Sequence, residues 1–308
     1  MVEPVKFKHP CIEAMVSVII PVRADVEGLA ITLQSLVKTA PHTQRYEIIV
    51  ANDGADEDIT TYCEKYPQVI EKSLIPNQGP GGARNYAMEF AQGEFVAFLD
   101  ADVVVREGWW QAMRNALSTH DYAAGRVDID PSLITSFFHK YDQINAFNVK
   151  EYMRNHHGAT ANVSVRRSLL KEIGGFDARF RSGEDTEFGI RAHEQGQRMV
   201  YADDMRIFHP PRSFQEQRKK IYRVVVGHAQ LREAYPTRFD KYKVTPRMVV
   251  SFVVPPRRLG KDPKMLESLS PSTRAGLYLT CYAARLYQIS CYVWTSLLSA
   301  KRMKHDLS

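Results

Sequence analysis

The sequence is poor in cysteine. Its 308 residues hold four, Cys11, Cys63, Cys281 and Cys291, and no two form a CxxC pair. That count and spacing exclude a disulfide scaffold and a zinc finger, and the expected compartment is reducing and cytoplasmic. Long hydrophobic runs are also missing: nothing reaches the roughly 18 uninterrupted apolar residues of a membrane span. The nearest stretch, Ala275 to Ala300, is broken by Arg285 and several polar residues. Met1–Pro10 carries Glu3, Lys6 and Lys8 without an apolar core, so it does not read as a signal peptide. There is no internal repeat and no low-complexity tract. The glycine-rich Asn77–Gly82 segment is not followed by GK[ST] and lacks the G-x-G-x-x-G spacing, which excludes a Walker loop and a dinucleotide fingerprint.

What remains is an ordinary globular composition, 44% hydrophobic and 25% charged. The length suits one large domain or a catalytic domain with an appendage. The net charge of +6 suits an anionic partner such as a nucleotide diphosphate, a lipid phosphate or a membrane surface, although mild basicity also occurs without one.

The first third alternates strands and helices. Val16–Pro21, Tyr46–Ala51, Val69–Leu74 and Gly93–Leu99 read as buried strands. Gly28–Val37, Ile59–Tyr66 and Ala83–Ala91 read as helices, with Asn77–Gly82 as a loop before the last. This βα repeat predicts a parallel sheet covered by helices, with ligands at the carboxyl ends of the strands. Pro21, Asp53 and Asp100 all fall at such ends. Further on, Trp109–Leu117 reads as a helix, Tyr122–Asp130 as a less regular region and Ser132–Met153 as helical. Ala161–Val165 is strand-like and Ser168–Ile173 a short helix. Glu184–Gln195 is an amphipathic helix closed by Gly196. Met199–Tyr201 and Ile207–His209 read as strands about an Asp203-Asp204 turn. Phe214–Tyr235 is a basic helix, Thr245–Pro263 is proline-rich, and Ser272–Lys304 is helical and rich in aromatics.

Asp100-Ala101-Asp102 closes the fourth strand. In an extended chain residues i and i+2 share a face, so the two carboxylates would make a hard oxygen site for Mn²⁺ or Mg²⁺. A solvated acidic turn is the competing reading of the triplet alone.

Five ordered segments sharpen this: Ser17–Arg23, Ile49–Gly54, Asn77–Asn85, Phe98–Asp102, and the run from Asn162 through Gly174-Gly175-Phe176-Asp177 to Glu184-Asp185. Together, over residues 15 to 212, they resemble the family 2 glycosyltransferases. The resemblance implies a GT-A fold: a Rossmann-like α/β, mostly parallel central sheet flanked by helices, here with a C-terminal helical extension. It implies a catalytic domain over 1–212, with a nucleotide-sugar half (1–120) and an acceptor half (121–212), followed by an extension over 213–308. The implied enzyme is an inverting, metal-assisted glycosyltransferase. It would move a sugar from a nucleoside diphosphate sugar, a UDP-sugar by expectation, to an acceptor hydroxyl in polysaccharide, glycolipid or glycoconjugate biosynthesis.

Carried over residue by residue, the resemblance makes Asp185 the general base. It gives Pro21, Val22, Arg23, Asp53, Gly79, Arg84, Asp100, Ala101 and Asp102 to the nucleotide sugar, with Asp53 contacting the base and Arg84 facing the nucleotide or bracing an aspartate. Asp100, Asp102 and His209 are the implied ligands of Mn²⁺ or Mg²⁺. Glu184 and Trp109 are candidate acceptor contacts, the tryptophan by stacking on a sugar, although two tryptophans at a helix start also suit a core. His156-His157 reads as loop or acceptor-side. The sequence departs from the family where Asn52 replaces an aspartate and Ala55 a serine. The extension suits either peripheral attachment at the inner face of a cell membrane or a homodimer contact; nucleic acid is not an expected partner. A nucleotidyltransferase of related fold and a non-catalytic nucleotide-sugar-binding protein are the rival readings.

Overall fold

Val16–Val22 (β1) is apolar but for Ser17, and its side chains are almost all buried, as a strand covered on both faces requires. The computed structural model describes residues 15–43, 45–255, 264–267 and 269–305; Met1–Pro10, Cys11 and part of Thr245–Pro263 lie outside them. Val26–Thr39 (α1) follows, its first turn capped by Asp25, which accepts from the Gly28 amide at 2.9 Å. Then come Tyr46–Asp53 (β2), Glu57–Cys63 (α2) capped by Asp56, Val69–Leu74 (β3), Gly79–Met88 (α3) and Phe95–Leu99 (β4). The rest of the sheet and its helices are Val104–Val105 (β5), Trp109–Thr119 (α4), Tyr122–Ile129 (β6), Phe137–Asn145 (α5), Val149–Arg154 (α6), Asn162–Arg166 (β7), Arg167–Ile173 (α7), Glu184–Glu194 (α8) and Met199–His209 (β8). Phe214–Ala234 (α9), Pro246–Val253 (α10), Lys264–Glu267 (α11) and Pro271–His305 (α12) complete the chain.

The eight strands form one sheet in the order β3-β2-β1-β4-β7-β6-β8-β5. The βα repeat gives parallel pairing across β3, β2, β1 and β4. Beyond it β7 runs antiparallel to both β4 and β6, and β5 runs antiparallel to β8, so the sheet is mixed. The chain leaves β1 toward β2 and β3 on one side and returns to β4 on the other. The switch point of the parallel half therefore lies at the carboxyl ends of β1, β2 and β4. On one face Ile19, Ile49 and Phe98 pack with Ala83, Phe176 and Phe188.

Contacts divide the chain into two units. One comprises Met1–Asp128, Val149–Ala178 and Asp185–His209; the other comprises Ile129–Asn148, Arg179–Glu184 and Pro210–Ser308. In the second, buried Asp142 of α5 accepts from the Arg212 amide at 2.9 Å and from the Gln217 side chain, tying α5 to the start of α9. Val225, Ile289, Cys291 and Tyr292 form its buried cluster, with Met248 and Phe252 packed on it.

Four local expectations change. Tyr122–Ile129 is a regular strand. Met199–His209 is one strand of 11 residues, with Asp203 and Asp204 exposed along it instead of turning it. Ser132–Met153 is a short 3-10 turn and two helices, separated where Phe147 takes a φ of 51°. The glycine-rich segment is already helix from Gly79, with Pro80 in its first turn.

Asn162 holds the mixed half of the sheet to α4. Its side chain is 1% exposed; its amide donates to the Arg126 carbonyl at 3.0 Å and the Met205 carbonyl at 2.7 Å, while its oxygen accepts from the Trp109 indole N–H at 2.9 Å. Asn162→Leu keeps the number and branching of side-chain heavy atoms and strands three polar groups. At about 1–3 kcal/mol for each unsatisfied group, we expect a loss on the order of 3 kcal/mol or more, read as a lower urea midpoint with an unchanged slope.

Candidate active site

Asp53 ends β2 and is 4% exposed. Its carboxylate accepts from the Asn77 side chain at 2.5 Å, from the Gln78 amide at 2.7 Å and from the Gly79 amide at 2.9 Å. It is thus the cap of α3, supplied from another strand: an anion on the positive end of a helix. Gly79 takes a φ of +78° in this corner, a left-handed conformation that glycine accepts without strain. The sequence expectation gave Asp53 to a nucleotide base and the Gly79 backbone to a ligand; here the two bond to each other. The three bonds at Asp53, which include the Gly79 amide, are already made within the protein.

Neighbouring Asn52 is fully buried. Its amide nitrogen donates to the Asp56 carbonyl at 2.8 Å and its oxygen accepts from the Asp56 amide at 3.0 Å. A carboxylate has no proton for the first of these bonds, which explains the asparagine.

One turn and a half along α3, Arg84 is 2% exposed. It donates to Asp100 at 3.1 Å and stands over the Phe176 ring at 5.7 Å. Of the two roles considered for it, bracing an aspartate is the one observed. The next residue, Asn85, donates to the Phe176 carbonyl at 2.7 Å and accepts from the Phe176 amide at 2.8 Å, which fixes the Gly174–Phe176 turn against the helix. Gly175 is needed there, since a Cβ would lie 2.3 Å from the Asn85 oxygen. Asn85 carried no role in the sequence reading, because its partner lies 91 residues away.

Asp100, Ala101 and Asp102 follow β4 as a turn, so the carboxylates converge by chain reversal and not by the pleat of a strand. Each aspartate side chain is 35% exposed, and Ala101 is 9% exposed. His209, 4% exposed at the end of β8, brings its Nε2 to 3.7 Å from Asp102. One ligand atom from each of Asp100, Asp102 and His209 lies within 4.8 Å of the others. Two carboxylate oxygens and an imidazole nitrogen are a donor set that suits Mn²⁺, and Mg²⁺ less closely because of the nitrogen. The register explains the meeting. Val104 pairs with Phe208 in an antiparallel ladder, so Asp102 and His209 sit just beyond the same end of it.

Asp185 lies partly exposed in the first turn of α8. Loss of water around its carboxyl raises its pKa above the ordinary carboxylate value. Nearby Asp100 adds to this, while bonds from Thr186 and the charge of Arg84 oppose it. Pro21 is partly exposed, Val22 is buried and Arg23 is exposed at the end of β1, the switch point. One expectation is not met: Trp109 is fully buried and its indole N–H is spent on Asn162, so it has no face to offer a sugar. Glu184 stands at the head of α8, 6% exposed. His156 stacks on His193 at 3.6 Å and His157 on Tyr152 at 5.3 Å; neither joins the Asp-Asp-His cluster.

The family described as Glycosyl transferase family 2 matches residues 17–174, just over half of the sequence. The chain belongs to this family. It is 27% identical over 223 residues to glycosyltransferase AglE of Haloferax volcanii, an alignment covering 70% of this chain and 73% of the relative. It is 26% identical over 218 residues to the pre-mycofactocin glycosyltransferase of Mycobacterium tuberculosis, covering 64% of this chain but only 43% of that one. Among solved structures it resembles the mannosyltransferase PcManGT from Pyrobaculum calidifontis in complex with GDP-Man and Mn²⁺. The TM-score is 0.58 at 15% identity, covering 91% and 86% of the two chains. It also resembles Staphylococcus aureus TarS residues 1–349 in complex with UDP, with a TM-score of 0.52 at 19% identity, covering 90% and 89%. These structures show the fold, GT-A. The protein is a glycosyltransferase, and the nucleotidyltransferase and non-catalytic binding readings are set aside.

Asp53→Ala removes the cap of α3 and frees two backbone amides. We expect about 1–2 kcal/mol of lost stability, the range for a capping residue, measured by urea denaturation.

Proposed function

We propose that this family 2 glycosyltransferase transfers a sugar from a nucleoside diphosphate sugar, UDP-linked, to an acceptor hydroxyl with inversion at the anomeric carbon. We place it in the assembly of a polysaccharide, glycolipid or glycoconjugate. The observation that carries the reading is the convergence of Asp100, Asp102 and His209 beside Asp185 at the carboxyl ends of the strands. The relatives named above support it: one solved neighbour was crystallised with GDP-Man and Mn²⁺ and another with UDP.

In this reading Asp100, Asp102 and His209 hold Mn²⁺ or Mg²⁺, which when bound supplies charge neutralisation at a departing nucleoside diphosphate. Arg84, paired with Asp100 at 3.1 Å, holds its carboxylate in place. Pro21, Val22 and Arg23 flank the nucleotide at the switch point. Asp185 accepts the proton of the acceptor hydroxyl as its oxygen forms the new bond to the anomeric carbon; the bond to the diphosphate breaks and its electron pair leaves with the phosphate. Asp53 acts as a positioning residue through α3. The catalytic domain spans 1–212, and 213–308 is the extension.

Asp185→Asn should cut transfer by roughly 10²–10⁴-fold, the usual weight of a general base, while calorimetry shows nucleotide affinity near that of the unaltered enzyme. Transfer persisting at full rate removes Asp185 from this role. Asp102→Ala should instead weaken nucleotide binding measured with Mn²⁺.

The raised pKa of Asp185 has a signed consequence. A protonated carboxyl cannot take a proton, so activity is present above its pKa and lost as pH falls through it. The acid limb of the rate profile should lie above the usual carboxylate value of about 4.

A further inference from the structure

The second unit leaves apolar surface uncovered. Of the fifteen exposed large hydrophobic side chains among the described residues, thirteen belong to it. They are not scattered. Leu279, Leu286, Val293 and Leu297 recur at helical spacing along α12, with Trp294 beside them at 58% exposed. From Leu279 to Leu297 the stripe runs about 27 Å at 1.5 Å per residue. The opposite face of α12, including Leu277, Ile289 and Tyr292, is buried. Between Ala275 and Ala300 the only charge is Arg285, which donates to the Ser251 carbonyl at 2.5 Å and stands over Phe252.

Leu279 also lines a cavity of about 490 Å³, walled by Phe138 and Tyr141 of α5, Phe214 and Ile221 of α9, and Tyr287 of α12. That volume lies within the range of apolar ligand sites, about 300–1,000 Å³. Exposed Arg218 borders it, its guanidinium over the Phe214 and Tyr287 rings at 5.8 and 5.4 Å.

Charge identifies the occupant. Residues 210–308 carry 19 Lys and Arg against 6 Asp and Glu, whereas residues 1–209 carry 22 against 29. A second copy would bring together two segments that each carry 19 Lys and Arg against 6 Asp and Glu. A nucleic acid would find an uncharged apolar stripe where phosphates need donors. An anionic bilayer satisfies both features: acyl chains accept the stripe and phosphates accept the lysines and arginines. Among the described residues no helix is long and apolar enough to cross a membrane, so the contact lies in the interfacial plane.

We propose that the second unit binds an anionic phospholipid surface, with the Leu279–Leu297 stripe in the acyl boundary, one acyl chain in the cavity, and Arg218 at the lipid phosphate. This does not rest on the proposed donor, mechanism or metal.

Tryptophan fluorescence provides the test, because Trp109 and Trp110 are buried in the sheet unit and Trp294 alone is exposed. The full chain is mixed with vesicles of phosphatidylcholine, with or without phosphatidylglycerol, using brominated phosphatidylcholine as quencher. The expected result is sedimentation with the phosphatidylglycerol vesicles that weakens with salt, and quenching that Trp294→Phe abolishes. Leu286→Asp should lower partitioning about tenfold, since a carboxylate must enter the apolar boundary. Ile31→Asp, an exposed apolar site in the other unit, should leave it unchanged. The proposal is overturned by no sedimentation at low salt, or by sedimentation without quenching of Trp294. It is equally overturned if light scattering shows a dimer that Leu286→Asp dissociates and vesicles bind neither form. Circular dichroism verifies that each variant is folded.

Discussion

The arrangement of the candidate site depends on one buried carboxylate at the wrong end of nothing in its own element. Asp53 closes β2, yet its bonds go to the start of α3. A helix begun on glycine and proline has no side chain of its own to cap it, and Gln78 makes no such bond. The charge from the neighbouring strand both satisfies the orphan amides and fixes where the helix starts. From that start the helical rise sets Arg84 against Asp100, and Asn85 against the Phe176 turn that precedes α8. Asp185 then feels Arg84 and Asp100 as its charged neighbours. Three segments far apart in sequence are thereby referred to one helix terminus.

The Asp-Asp-His side of the site is set differently, by strand register. Asp102 and His209 are 107 positions apart, and the two-residue β5 pairing with the end of β8 brings them within reach. So short a ladder is weak by itself. It is held because Asn162 grips the Met205 carbonyl of β8 with the same amide that holds Arg126, while its oxygen holds Trp109 at the start of α4. A buried amide whose bonds are all made within the protein rigidifies through its geometry, and the expense of stranding any one bond keeps the others in place. The tryptophan that invited a sugar-stacking role is part of this brace.

Much of this was legible in the sequence, and the failures have a common cause. Buried β-branched runs ending in Pro21, Asp53 and Asp100 reveal the parallel strands, because burial on both faces leaves an unbroken apolar signature. Five ordered motifs reveal the family. What a linear reading misses is the destination of a side chain. Asp53 looks like a ligand-facing turn residue because its partners lie 24 to 26 positions on. Asp203-Asp204 looks like a turn because two charges in mid-strand are rare, yet one edge of β8 is exposed there and solvates them. Asp100 and Asp102 were rightly brought together but for the wrong reason: an extended chain and a tight turn can both converge residues two apart, and only the backbone tells which.

Net charge illustrates the same limit at larger scale. A total of +6 suggests a chain adapted throughout to an anionic substrate. The segregation shows otherwise: the first 209 residues, which contain every candidate catalytic and nucleotide-sugar residue, carry more acid than base, and the basic excess belongs to the last 99. An acidic site with a nucleotide sugar as its proposed donor would have to offset its own charge locally. Buried Arg84 does so at Asp100, and a divalent cation among Asp100, Asp102 and His209 would do the rest. A general excess of lysine on the surface would be too distant and too screened to serve, since exposed charges fade over about 8 Å at physiological salt. The basic excess of the second unit therefore calls for its own anionic partner, and the apolar stripe that accompanies it specifies which kind.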